Sequence, residues 1–266
     1  MFEKIMRYMS LLVLVVLLVV ALAEIKINVY GTETNEEPSQ MTDLNTFDTE
    51  ELDKIEEIEE VEEPKVITAE DIIIDYSLFD DAIFVGNSRT QGLFWYSDLD
   101  ATEYTYQGLT VDSIHSAKVI KQNGYNITIA DAIKNNKDFK TVYIMMGTNE
   151  LGWKVRPIFI ERYERIIDMI LETNPTCTIY VQSILPVCER ISVNDKVFNM
   201  TNINEFNELI KDMCERKNIT YIDITSILLD EHGYLPEEAS SDGIHLNKLY
   251  CRKWLKYLEN YASKEE

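Results

Sequence analysis

Of the three histidines in the chain, His115, His232 and His245, the last combines a carboxylate three residues earlier with a place just ahead of a helix. In "SSDGIHLN" Asp242 stands three residues before His245, immediately ahead of a closing helical pattern. A carboxylate so placed can accept a hydrogen bond from Nδ1, fix the tautomer and leave Nε2 to take a proton. What such a pair acts on is a hydroxyl, and "AIFVGNSRTQGL", residues 82–93, delivers Ser88 just past an apolar run, where a helix should begin. A serine there can cap the helix, the commoner fate of one taken alone, or serve as a nucleophile. Acyl transfer also needs donors for the developing oxyanion. "MMGTNELGW" offers the Asn149 side chain after Gly147, and "TYQGLTV" offers an N–H that can approach closely at Gly108. Arg89 adjoins Ser88, and Trp95, Tyr96 and Trp153 follow the Ser88 and Asn149 blocks. Arg89, Trp95 and Trp153 are candidate substrate contacts; the aromatic faces can stack on a sugar ring or pack as ordinary core and rim residues. His115, near Asp112, and His232, in "DEHGYL", read as surface residues.

These groups can meet only if the right elements carry them. Runs at 81–86, 102–108, 140–147, 177–185 and 219–225 read as strands. Stretches at 156–174, 202–218 and 247–263 place apolar residues at helical spacing. Such alternation predicts an α/β fold: three layers, αβα, around a central parallel sheet of about five strands joined by right-handed crossovers. The loops at the carboxyl ends of such strands form the ligand crevice, and Ser88, Gly108 and Asn149 all follow strand ends.

In that order the four blocks "VGNSRT", "YQGLTV", "GTNEL" and "SDGIHLN" resemble those of the SGNH hydrolases, the GDSL-type esterase and lipase superfamily, over roughly residues 80–262. The resemblance implies a flavodoxin-like core, Ser88 as nucleophile, His245 as base and Asp242 as its orienter. It also implies an oxyanion hole from the Ser88 and Gly108 N–H groups and the Asn149 side chain. Two positions depart from the family pattern: Asn87 stands where Asp usually precedes the nucleophile, and Glu150 where Asp usually follows the Asn. The Gly-x-Ser-x-Gly elbow of α/β hydrolases is absent, since Thr90 occupies its second glycine position. No Cys-x-x-Cys or His-Glu-x-x-His spacing occurs, so neither metal nor cofactor is expected.

The chain has 266 residues and a net charge of −22, of which residues 31–65 contribute 14 acidic and 2 basic side chains. Nothing resembles a basic stripe, which argues against nucleic-acid binding. Lys4 and Arg7 precede an apolar run from Met9 to Ala23, the pattern of an export signal or membrane anchor with its positive flank inside. The organisation expected is a signal peptide or anchor at 1–30, an acidic disordered stalk at 31–70 and a hydrolase domain at 71–266. The four cysteines, 177, 188, 214 and 251, could pair in an exported chain; those at 214 and 251 fall within helical patterns, where a buried thiol is the simpler reading, and no disulfide is expected.

These features describe an extracytoplasmic, bacterial-type serine esterase, tethered or secreted, that removes short acyl groups, acetyl above all, from cell-surface carbohydrate or small esters. Two alternatives accompany that expectation: a carbohydrate O-acyltransferase using the same triad, and a non-catalytic glycan-binding module.

Overall fold

The computed structural model describes residues 67–262. The anchor expected at 1–30 and nearly all of the stalk at 31–70 lie outside the described residues. Among the described residues, no helix is long and apolar enough to cross a membrane.

Five strands form one parallel sheet: β1 (Ala82–Gly86), β2 (Thr102–Thr105), β5 (Thr141–Met145), β6 (Thr178–Gln182) and β7 (Thr220–Ile222), in the order β2-β1-β5-β6-β7. All five residues of β1, an interior strand, are buried, as a strand covered on both faces requires. Alternation along the strands sends Ile83, Val85, Val142, Ile144, Ile179 and Val181 into one core and Phe84, Tyr143 and Tyr180 into the other. The last three are cross-strand neighbours whose rings stack, with centroids 4.8 and 5.2 Å apart.

Helices cover both faces. Against the first core pack α2 (Ile129–Asn135), α3 (Arg156–Thr173) and α5 (Met200–Lys217). In α3 the buried face runs through Phe159, Tyr163, Ile166, Ile167 and Ile170, the i, i+4, i+7 rhythm of one helix side. Against the second core pack α1 (Ser88–Trp95) and α6 (Lys248–Ala262). Trp254 of α6 is fully buried and donates to the Gln182 side chain on β6 at 2.7 Å. A single turn, α4 (Glu189–Ser192), follows the exit from β6.

The architecture is the expected three-layer αβα arrangement, with one addition. Lys118–Gln122 (β3) and Tyr125–Thr128 (β4) form a separate antiparallel hairpin. Its turn is Asn123-Gly124, with φ of +50° and +82°, as a tight two-residue hairpin demands. An "NG" pair is itself a hairpin-turn signal in the sequence. The sheet strands also stop short of the apolar runs that announce them: β2 ends at Thr105 and β5 at Met145. The residues beyond these ends are the ones that build the crevice.

Candidate active site

The first strand meets its helix at close range. A Cβ built on Gly86 would stand 2.0 Å from Thr90 Oγ1, so only glycine lets the first turn of α1 fold back over the strand end. The cap is Asn87, whose side chain accepts the Arg89 N–H at 2.9 Å. This settles the first of the two fates open to Ser88: capping is done by its neighbour, and Ser88, at the first helical position, turns its hydroxyl out of the helix. A first-turn amide has no acceptor within its own helix, so the Ser88 N–H belongs to the polar end of α1.

Ser88 Oγ lies 2.9 Å from His245 Nε2, and His245 Nδ1 lies 2.7 Å from Asp242 Oδ2. The other carboxylate oxygen holds the loop, accepting from the N–H groups of Ile244 at 2.9 Å and His245 at 2.8 Å and from the Ser240 hydroxyl at 3.0 Å. Partial burial raises the Asp242 pKa. The backbone and ring N–H groups of His245, the Ile244 N–H and the Ser240 hydroxyl outweigh it and hold the carboxyl well below the usual range. A carboxylate against Nδ1 orients the ring and turns Nε2 toward Ser88.

Gly108 adopts φ +77°, with nothing within 4 Å of where a Cβ would stand, so its backbone turns in an open stretch of the rim. Asn149 lies in the short turn Thr148–Glu150 and donates through Nδ2 to the Leu109 carbonyl at 2.8 Å. An amide nitrogen carries two hydrogens, so this bond orients the group and leaves a second N–H to donate. The loops after β2 and β5, which carry two of the three expected oxyanion donors, are thus bonded to each other.

Ser88 and His245 open onto a cavity of about 320 Å³ lined also by Trp95, Tyr96, Glu237, Glu238 and Asn247. Trp95 is 67% exposed there and offers a bare indole face. The other two expected substrate contacts are placed differently. Arg89 lines the same cavity but is 3% exposed, and its terminal nitrogens donate to the carbonyls of Leu185 and Pro186, each at 2.7 Å, so its guanidinium braces the loop after β6. Burial draws its guanidinium down to about 9. Trp153 lines a separate shallow depression with Asp112, Val155 and Ile158, its ring 5.5 Å from the Arg162 guanidinium. His115 and His232 are exposed, as expected.

Arg190, in α4, was not foreseen. Its Nη2 donates to the carbonyls of Ser240 and Ser241, and its Nε to Glu237 at 2.6 Å. No spacing rule joins an arginine to a loop fifty residues away, so only the folded chain reveals it.

The sequence profile of the GDSL-like lipase/acylhydrolase family matches residues 84–249, more than half of the chain. Among solved structures, a candidate platelet activating factor from Streptococcus pneumonia is 20% identical, with a TM-score of 0.53 over 67% of this chain and 83% of its own. A GDSL-like lipase from Bacteroides thetaiotaomicron is 13% identical, with a TM-score of 0.52 over 74% of this chain and 95% of its own. Both likenesses are of fold. No curated protein matches the chain. The chain belongs to the GDSL-like lipase/acylhydrolase family and is a serine ester hydrolase.

Proposed function

We propose that this hydrolase is an extracytoplasmic esterase that removes short acyl groups, acetyl above all, from cell-surface carbohydrate, with Ser88, His245 and Asp242 as its catalytic triad. The observation that carries the reading is the unbroken relay from Ser88 Oγ to His245 Nε2 at 2.9 Å and from His245 Nδ1 to Asp242 at 2.7 Å, at the mouth of a cavity. As Ser88 Oγ bonds to the ester carbonyl carbon, its proton passes to His245 Nε2, and Asp242 stabilises the imidazolium. The carbonyl oxygen becomes an oxyanion held by the N–H groups of Ser88 and Gly108 and the second amide N–H of Asn149. Collapse breaks the ester C–O bond, and the leaving alkoxide takes the proton from Nε2. Water then repeats the sequence on the acyl-enzyme and frees the acid and Ser88.

Size and lining favour a short acyl group on a sugar. The cavity of about 320 Å³ sits at the low end of ligand pockets, which run roughly 300–1,000 Å³. Trp95 and Tyr96 supply stacking faces, and Glu238 and Asn247 supply partners for hydroxyls. The Lys4, Arg7 and Met9–Ala23 pattern supports export and a membrane tether.

The test compares full-length wild type with Ser88→Ala on p-nitrophenyl acetate, p-nitrophenyl octanoate and acetylated xylan, with a fluorophosphonate probe to mark the nucleophile. Acetate release and labelling that vanish together in the variant are expected, with the octanoate ester a poor substrate. An active Ser88→Ala protein overturns the assignment, and labelling without hydrolysis replaces it with acyl transfer. Export is tested by fusing residues 1–66 to a reporter active only outside the cytoplasm; a silent fusion overturns that part.

A further inference from the structure

Glu150 is a carboxyl-bearing side chain at 0% exposure that takes no part in the relay. Its Oε1 accepts the Val111 N–H at 2.6 Å, and its Oε2 has no hydrogen-bond partner. An unmatched carboxyl oxygen in the interior is costly. Its position suggests what offsets it. Glu150 follows Asn149 in the turn after β5, and Val111 lies three residues beyond Gly108 in the loop after β2. Asn149 donates to the Leu109 carbonyl at 2.8 Å, and Val111 donates back to Glu150. Two antiparallel hydrogen bonds, one in each direction, therefore clamp the loop carrying the Gly108 N–H to the turn carrying the Asn149 amide.

We propose that Glu150 is a positioning residue for the oxyanion hole: its bond to the Val111 N–H fixes the Gly108 N–H relative to the Asn149 side chain. This rests on the reading of those two groups as oxyanion donors. The clamp acts where charge develops, so its loss is felt in the chemical step more than in substrate binding. Its reach also explains the residue type. An aspartate is one methylene shorter and would withdraw the acceptor from Val111, whereas glutamine presents an oxygen at the same distance.

The experiment measures kcat and KM of the full-length chain on p-nitrophenyl acetate for Glu150→Ala, Glu150→Asp, Glu150→Gln, Asn149→Ala and Asn149→Ala/Glu150→Ala. Glu150→Ala and Glu150→Asp are expected to lower kcat by about 10- to 100-fold with KM within about twofold, as a displaced catalytic group does. Glu150→Gln is expected to restore kcat to within about threefold of wild type, because the acceptor survives. The double variant should lose less than the product of the single losses, since both act through one hole. Wild-type kcat in folded Glu150→Ala overturns the proposal, as does Glu150→Gln behaving like Glu150→Ala. If Glu150→Ala does not fold, Glu150→Asp against Glu150→Gln decides in the same way. An unchanged kcat in Asn149→Ala overturns the oxyanion reading itself, a result distinct from failure at Glu150 alone.

Discussion

Arg190 Nη2 donates to the Ser240 carbonyl at 3.1 Å, which ties α4 to the loop that presents Asp242 and His245. The same nitrogen reaches the Ser241 carbonyl at 3.1 Å, and the Cys188 N–H donates to the Gly243 carbonyl at 2.9 Å. Three carbonyls in four residues are thus held from one turn. The geometry of the Ser88–His245 contact depends on that loop, so Arg190→Ala should lower kcat by about 10-fold or more, with a smaller change in KM. Arg190→Lys should recover only part of the loss, because an ammonium cannot reproduce the planar fork. The rate of fluorophosphonate labelling at Ser88 reads the same displacement without substrate binding. Wild-type labelling in Arg190→Ala would remove the arginine from the positioning machinery.

Asn149→Ala should reduce kcat on p-nitrophenyl acetate by about 10²–10³-fold, the loss typical of a single oxyanion donor, with little effect on KM. The structural bond to Leu109 disappears as well. Thermal unfolding measured on the same variant separates the two roles. A large drop in kcat with a nearly unchanged Tm assigns the effect to the hole.

All four cysteines are free and buried. Burial lifts the thiols of Cys177 and Cys188 to about 11 and those of Cys214 and Cys251 to about 12. At pH 8 almost no thiolate is present to attack a disulfide reagent. The folded protein should therefore resist thiol titration and keep its activity in reducing agent, while the unfolded chain releases four reactive thiols. Fast modification of even one cysteine in the native protein would contradict this burial.

Much of the framework was legible because strands buried on both faces must be continuous apolar runs, and "AIFV", "VYIMM" and "IYV" are. Ser88, Asp242, His245, Asn149 and Gly108 stood out as candidates because each follows a strand end or precedes a helix, where sequence marks a boundary sharply. What escaped was long-range. Nothing local states that the Arg89 guanidinium turns inward to two carbonyls, that Trp153 faces another depression, or that Arg190 grips the Ser240 loop. Asn87 and Glu150, noted at first only as departures from a family pattern, acquire physical roles in the fold: one caps α1, the other binds the loop after β2. The hairpin at Asn123-Gly124 was missed for a different reason. Its strands are short and half exposed, so their apolar pattern is faint even though the turn is not.

The buried carboxyl of Glu150 also sets a dependence of stability on pH. Burial pushes its pKa from 4.5 to about 7, against the pull of the N–H groups of Val111, Glu150 and Gly147, while the neighbouring charge of Asp112 pushes the same way. Asp112 is itself paired with Arg162, and the buried Tyr163 hydroxyl also senses Glu150. Below pH 4.5 the group is protonated in both folded and unfolded chains. Between pH 4.5 and about 7 the folded chain holds a proton that the unfolded chain has released, so stability falls as pH rises and the loss is complete above about 7. The full loss is on the order of 3 kcal/mol. Glu150→Gln keeps the bond to Val111 and has no proton to lose, so it should match wild type near pH 4.5 and exceed it progressively toward pH 8. Urea unfolding of both proteins at pH 4.5, 6 and 8 measures the gap. Parallel stability curves across that range would mean that the carboxyl ionises in the folded chain as readily as in the unfolded one, and that the interior around Glu150 is wetter than its complete burial implies.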